Sequence, residues 1–230
     1  KCRWTPGLDN KSLSTLSFGL TSNIEASPRP IDAALVLNIA NGFFLPILRH
    51  SGIGIALNTD GIEWERGKWG SGAQKVFLAG AKASAKYADV LVADSNGIAD
   101  IWRDKFGVES EFIPYGAPVL ESAEHNRVRD IGIEPGAYVL VVARLIPENN
   151  VELTLDALAD GPEVPTVVVG EANYQSPIES RLRKLDESGT LKWLGHVHDQ
   201  ELLNQLWSNA GVYVHGHSVG GTNPALLQAL

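Results

Sequence analysis

The 230-residue chain carries 27 acidic against 19 basic residues, a formal net charge of -8, and is 44% hydrophobic. This is the balance of a globular protein with one large domain or two of ordinary size, and it excludes a general binder of nucleic acid or anionic lipid, whose phosphates need clustered Lys and Arg. A single cysteine, Cys2, excludes an internal disulfide framework, and no Cys/His spacing reads as a zinc site.

From the N-terminus, AALVLNI (33–39), IGIALN (53–58), DVLVADS (89–95) and EFIPYG (111–116) read as strands, with helical stretches between most of them. Their apolar runs are nearly continuous rather than alternating, which predicts strands covered on both faces, as in parallel sheets. Residues 121–136 turn polar and charged and read as a linker. The same pattern then restarts with YVLVVAR (138–144), VPTVVVG (164–170), LKWLG (191–195) and GVYVHG (211–216), alternating with helices expected near 151–159, 178–188 and 200–209. The predicted fold class is α/β with two Rossmann-like domains built on parallel sheets, 1–120 and 137–230. Both domains look cut: the first lacks an opening strand and glycine-rich turn, and the second stops inside a helix barely begun. The absence of methionine also fits a fragment. No apolar stretch is long enough to cross a bilayer and no signal segment opens the chain, so a cytoplasmic protein is expected, its membrane contact at most peripheral and on the inner face.

The final stretch, HSVGGTNPALLQAL (217–230), opens a helix in an uncommon way. Asn223 is a favoured N-cap residue and Pro224 suits the first helical position. Gly220 and Gly221 leave the preceding backbone uncovered, so the unpaired N–H groups of the helix start form a cradle suited to phosphate. The other reading is an ordinary strand-to-helix loop whose glycines serve packing.

Several stretches taken together carry a resemblance. NTDGIEWERGKWG (58–70), ADVLVADSNGI (88–98), FIPYGA (112–117), VARLIPENNVEL (142–153) and HGHSVGGTNPALLQAL (215–230) resemble, in order and over most of the chain, bacterial rhamnosyltransferases of the retaining GT-B group, which build cell-wall or capsular polysaccharides. The resemblance implies a GT-B fold in which the second domain holds a nucleotide-sugar donor and the first faces a saccharide or lipid-linked acceptor, with chemistry in the cleft between. It implies that Arg144 clamps the donor diphosphate and stabilises the leaving group. Gly221, Thr222 and Asn223 would contact sugar and diphosphate through backbone N–H groups, and Gly195, His196 and Val197 would border the nucleobase. In the wider group two glutamates span the terminal turn, the second binding ribose; here Gly220 and Gln228 stand there, and an amide cannot match a carboxylate's charged double acceptance. A lysine common in relatives after the arginine is replaced by Glu148, Asn149 and Asn150.

On the acceptor side, Asp60 and Glu63, beside Arg66 and Lys68, can orient or deprotonate a sugar hydroxyl, with Trp64 and Trp69 suited to sugar stacking; the alternative is a salt-bridged loop packed by its tryptophans. Asp94 either binds substrate or caps the following helix, and Tyr115 either lines the cleft or anchors the linker. His215 and His217 either contact the donor or fix loop backbone, and His196 and His198 stand equally open. The expected reaction is retaining transfer of L-rhamnose from dTDP-β-L-rhamnose, assisted by the leaving diphosphate itself. The enzyme then positions groups and stabilises charge, with no cofactor and, for want of a DxD motif, no metal. Two alternatives stay open: a nucleotide-sugar epimerase of the same architecture, and a fragment that binds nucleotide without turnover.

Overall fold

The computed structural model describes residues 2–8, 13–67, 69–120, 124–159, 164–172 and 176–230. The chain divides into two compact units, Lys1–Tyr115 with Gly220–Thr222, and Gly116–Val219 with Asn223–Leu230.

In the first unit, β1 (Ala33–Leu37), β2 (Gly54–Asn58), β3 (Val90–Ala93) and β4 (Glu111–Phe112) form a parallel sheet in that order. Val36, Ile55, Leu57, Leu91 and Ala93 point to one face and are buried with Leu48, Ala81, Ile98 and Trp102 from the helices α2 (Leu45–His50), α3 (Ser71–Tyr87) and α4 (Asn96–Phe106). A further helix, α1 (Ser14–Ala26), packs on the turn of 3-10 helix Ile39–Phe44. That turn meets α3 backbone to backbone: a Cβ on Gly42 would stand 2.3 Å from the Gly80 carbonyl, so two glycines set this approach. The apolar run of β1 predicted cover on both faces, yet Leu35 and Leu37 remain 67% and 61% exposed. β1 lies at one edge of the sheet among the described residues, and only its Val36 side meets the core. EFIPYG gives just two strand residues, since Pro114 has no N–H to extend the ladder.

In the second unit, β5 (Val139–Val142), β6 (Thr166–Val169), β7 (Lys192–Trp193) and β8 (Val212–Tyr213) are parallel in the order β7-β6-β5-β8. Here β5 and β6 are buried on both faces, as their Val-rich runs predict. One face packs Val141 and Val168 against Leu155 and Leu182 of α6 (Val151–Ala159) and α7 (Pro177–Glu187). The other packs Leu140 and Val167 against Val128 and Leu206, from α5 (Asn126–Asp130) and α8 (Gln200–Ser208). The expected linker therefore contains a helix. Residues 121–123 lie outside the described set, but α5 buries Val128 completely and is tied to α8 by Arg127 N–H to Gln205 Oε1 at 3.0 Å and Gln205 Nε2–H to Asn126 Oδ1 at 2.8 Å. One buried apolar side chain among charges leaves no periodicity for the sequence to display.

The helix starts follow local chemistry. Ser95, Ser176 and Asp199 accept from backbone N–H groups at the N-termini of α4, α7 and α8. The last helix, α9 (Pro224–Ala229), begins as predicted, with the Asn223 side chain accepting from Ala225 N–H and Pro224 in the first turn. No helix among the described residues is long and apolar enough to cross a membrane.

Candidate functional site

The strand order of the second unit matters most. From β5 the chain moves to β6 and β7 on one side, then returns to β8 on the other, so the loops leaving β5 and β8 diverge at adjacent carboxyl ends. In open α/β sheets ligands bind at such a switch point. Arg144 leaves β5 there with its side chain exposed, and His215 and His217 follow β8.

The two loops are bolted together. Asn149 is buried and donates from Nδ2 to the Arg144 carbonyl at 2.8 Å; Asn150 donates to the Gly216 carbonyl at 2.8 Å; Ser218 donates from both N and Oγ to the Glu148 carbonyl at 2.9 Å. Asn150 adopts a left-handed backbone, φ 50°, which Asn tolerates better than most residues. A Cβ at Gly216 would lie 2.6 Å from the Asn149 carbonyl, so only glycine fits this approach. Asn149, Asn150 and Gly216 thus hold the site loops in place, a role the sequence reading did not assign them. Their signal was the consecutive pair of asparagines at a strand-to-helix junction.

The rings of His215 and His217 stack, with centroids 4.5 Å apart and planes 16° apart, and Tyr213 Oη lies 3.2 Å from His215 Nδ1. Burial holds the His215 ring below its usual pKa and raises the Tyr213 phenol to about 12. For His217 burial, then His215, then Arg144 lower the value to about 4, so the ring is neutral at pH 7. Along the same sheet edge, Gly195 takes a left-handed conformation, φ 60°, and its carbonyl accepts from Gly170 N–H at 2.7 Å. His196 and His198 are exposed, with ring centroids 4.3 Å apart, and Val197 is half-buried against the core. Gln228 is half-buried on α9.

In the first unit the predicted carboxylates part company. Glu63 is buried, its Oε1 2.6 Å from Arg66 Nε and its Oε2 accepting from Trp69 Nε1 at 2.7 Å. This is the geometry of the salt-bridged loop; Trp64 likewise packs on Trp102 and Phe106. Lys68 lies outside the described residues. Asp60 is exposed and left-handed, φ 52°, with its N–H donating to Asn58 Oδ1 at 2.7 Å. Asp60, Asp94 and Tyr115 converge beyond β2, β3 and β4. Asp94 is buried and its pKa is raised, chiefly by that burial and further by Asp60, against opposing backbone hydrogen bonds. Burial also raises Tyr115, with Asp60 and Asp94 adding. Asp94 does not cap α4, a role taken by Ser95, whose Oγ accepts from Ile98 N–H at 3.2 Å. Gly220, Gly221 and Thr222 group with this unit: Thr222 Oγ1 donates to the Asp94 carbonyl at 2.8 Å, and a Cβ on Gly221 would fall 2.0 Å from Asp94 Oδ1. Among the described residues no three His, Cys, Asp or Glu side chains are placed to share a metal ion.

Residues 125–230 match the family glycosyl transferases group 1. This segment contains Arg144, both stacked histidines and the terminal turn. Residues 35–118 match a domain of unknown function (DUF1972). No curated protein matches the chain. Among solved structures, Anabaena Alr3699/HepE in complex with UDP is similar with a TM-score of 0.67 and 16% identity, over 97% of this chain and 63% of that one. TarM gives 0.68 and 10% identity over 94% and 43%, and an α,α-trehalose-phosphate synthase (UDP-forming) from Burkholderia vietnamiensis 0.64 and 14% over 94% and 59%. The chain therefore spans less than two thirds of the length of these relatives. At such identities the likeness is one of fold: two Rossmann-like units of the GT-B type.

Proposed function

We propose that the protein is a retaining GT-B glycosyltransferase that moves L-rhamnose from dTDP-β-L-rhamnose to a saccharide or lipid-linked saccharide acceptor. One observation carries this reading: the segment matching glycosyl transferases group 1 places Arg144 and the His215–His217 loop at the topological switch point of its sheet. An exposed guanidinium there offers a bidentate clamp for diphosphate oxygens and a counter-charge for the leaving group. Solved neighbours hold UDP and UDP-glucose, which supports a nucleotide-sugar donor, and a neighbouring trehalose-6-phosphate synthase is described by glycosyltransfer with retention, which supports the stereochemistry. Rhamnose rests on the motif resemblance.

In this reading Arg144 holds the diphosphate, Gly195, His196 and Val197 border the base, and Gln228 meets the ribose. Asp60, Asp94 and Tyr115 orient acceptor hydroxyls, while Glu63 keeps their loop in shape through Arg66 and Trp69. The leaving diphosphate takes the proton of the incoming hydroxyl on the same face, so no enzymic nucleophile is needed and no metal is called for.

The test is product analysis by NMR after incubation with dTDP-β-L-rhamnose, with and without a panel of saccharide acceptors. Transfer that occurs only with acceptor and keeps the β configuration is the expected result. Conversion of the donor sugar without acceptor identifies an epimerase instead, and an intact donor under every condition contradicts the transferase reading.

A further inference from the structure

A nucleotide sugar brings two negative charges to its site, one on each phosphate. The loops at the switch point offer one permanent cation between them: residues 143–150 contain Arg144 alone, and residues 214–223 contain no Lys or Arg. The remaining groups able to become positive in these loops are His215 and His217. We propose that His217 supplies the second positive charge, binding one proton when a sugar-nucleotide diphosphate occupies the Arg144 loop, so that donor affinity rises as pH falls. This rests on the donor reading above.

His217 Nδ1 is buried with no hydrogen-bond partner among the described residues, a group that a native site does not usually leave unmet. The ring is stacked flat on His215, whose own Nδ1 is occupied by the Tyr213 hydroxyl. Its position is fixed from both sides, because Gly216 and Ser218 are bonded to Asn150 and Glu148 of the Arg144 loop. Among the described residues, the groups whose charge bears on the ring are His215, on its own loop, and Arg144, on the loop from β5; the carboxylate-bearing Glu148 on that loop accepts from Ser218 with its main-chain carbonyl.

Without ligand, burial and these two neighbours oppose a charge on the ring and hold its pKa at about 4. A diphosphate reverses the sign of the local field, neutralising Arg144 and attracting a proton to the imidazole. The balance is enzyme plus donor dianion plus one solvent proton giving the protonated complex, with no bond of the donor changed. Since the bound pKa lies above the free one, linkage requires affinity to increase as pH falls through the bound value, and to level off near the free value of about 4.

Titration calorimetry on the protein with dTDP-rhamnose and with UDP-glucose, each in two buffers of different ionisation enthalpy, counts the protons directly. These diphosphate diesters do not titrate between pH 5 and 8, so uptake belongs to the protein. The expected result is uptake of more than half a proton at pH 6 and binding at least fivefold tighter than at pH 8. His217→Asn and His217→Gln should both remove the uptake and flatten the pH dependence, while leaving measurable binding through Arg144. Binding with no uptake, or uptake that persists in both variants, overturns the assignment of His217 alone. No binding of either sugar nucleotide overturns the donor reading and this inference with it.

Discussion

Arg144→Ala lowers kcat/KM by about 10²- to 10³-fold, the loss typical of removing one preorganised group that stabilises charge developing in a transition state. The fold should survive, because the Arg144 side chain is exposed and makes no ion pair with a described residue, and surface substitutions of that kind usually shift stability by less than about 0.5 kcal/mol. The loop does not depend on the side chain either: its anchor is the Arg144 carbonyl, which accepts from Asn149 whatever side chain stands there. Arg144→Lys should fall between, since an ammonium keeps the charge but loses the planar fork. Steady-state kinetics beside a melting curve check both halves. Unchanged turnover, or turnover lost together with the melting transition, contradicts the role given to the guanidinium.

Gly170→Ala has the largest expected effect on stability. Gly170 follows β6 with φ 137°, where an L side chain is strained, and an added Cβ would lie 1.9 Å from the Ala143 carbonyl. The obstacle is backbone of the neighbouring strand end, which cannot rotate away. Strain and overpacking together should cost about 3 kcal/mol or more, a large part of the roughly 5–15 kcal/mol that holds a domain folded. Gly189→Ala separates the two causes, because Gly189 has φ 75° but open space around its Cβ position; its cost should be nearer 1 kcal/mol. Urea midpoints for the two variants decide the matter, and equal midpoints would mean that the clash at Gly170 is relieved by movement. Because Gly170 also bonds Gly195, its replacement should disturb the loop expected to border the base.

The parts of this fold that announced themselves in the sequence are those with local chemistry. The Val-rich runs of β5 and β6 and the Asn223-Pro224 start of α9 needed no partner to be recognised. What stayed hidden was set by pairing. Nothing in GVYVHG says that β8 lies beside β5 rather than beyond β7, yet that adjacency brings His217 to Arg144. Glu63 and Asp60 read alike as carboxylates in one loop, and only the structure shows one clasped by Arg66 and Trp69 and the other in solvent. Asn149 and Asn150 looked like missing lysines, whereas their amides hold two loops together.

Binding of a nucleotide sugar to the folded protein is read out by a thermal-shift series with dTDP-rhamnose, UDP-glucose, UDP-N-acetylglucosamine and GDP-mannose. A ligand that binds only the folded state at a hundred times its Kd adds about 2.7 kcal/mol. The melting temperature should rise selectively with dTDP-rhamnose, and a curve unmoved by all four sugar nucleotides rules out a nucleotide-sugar donor.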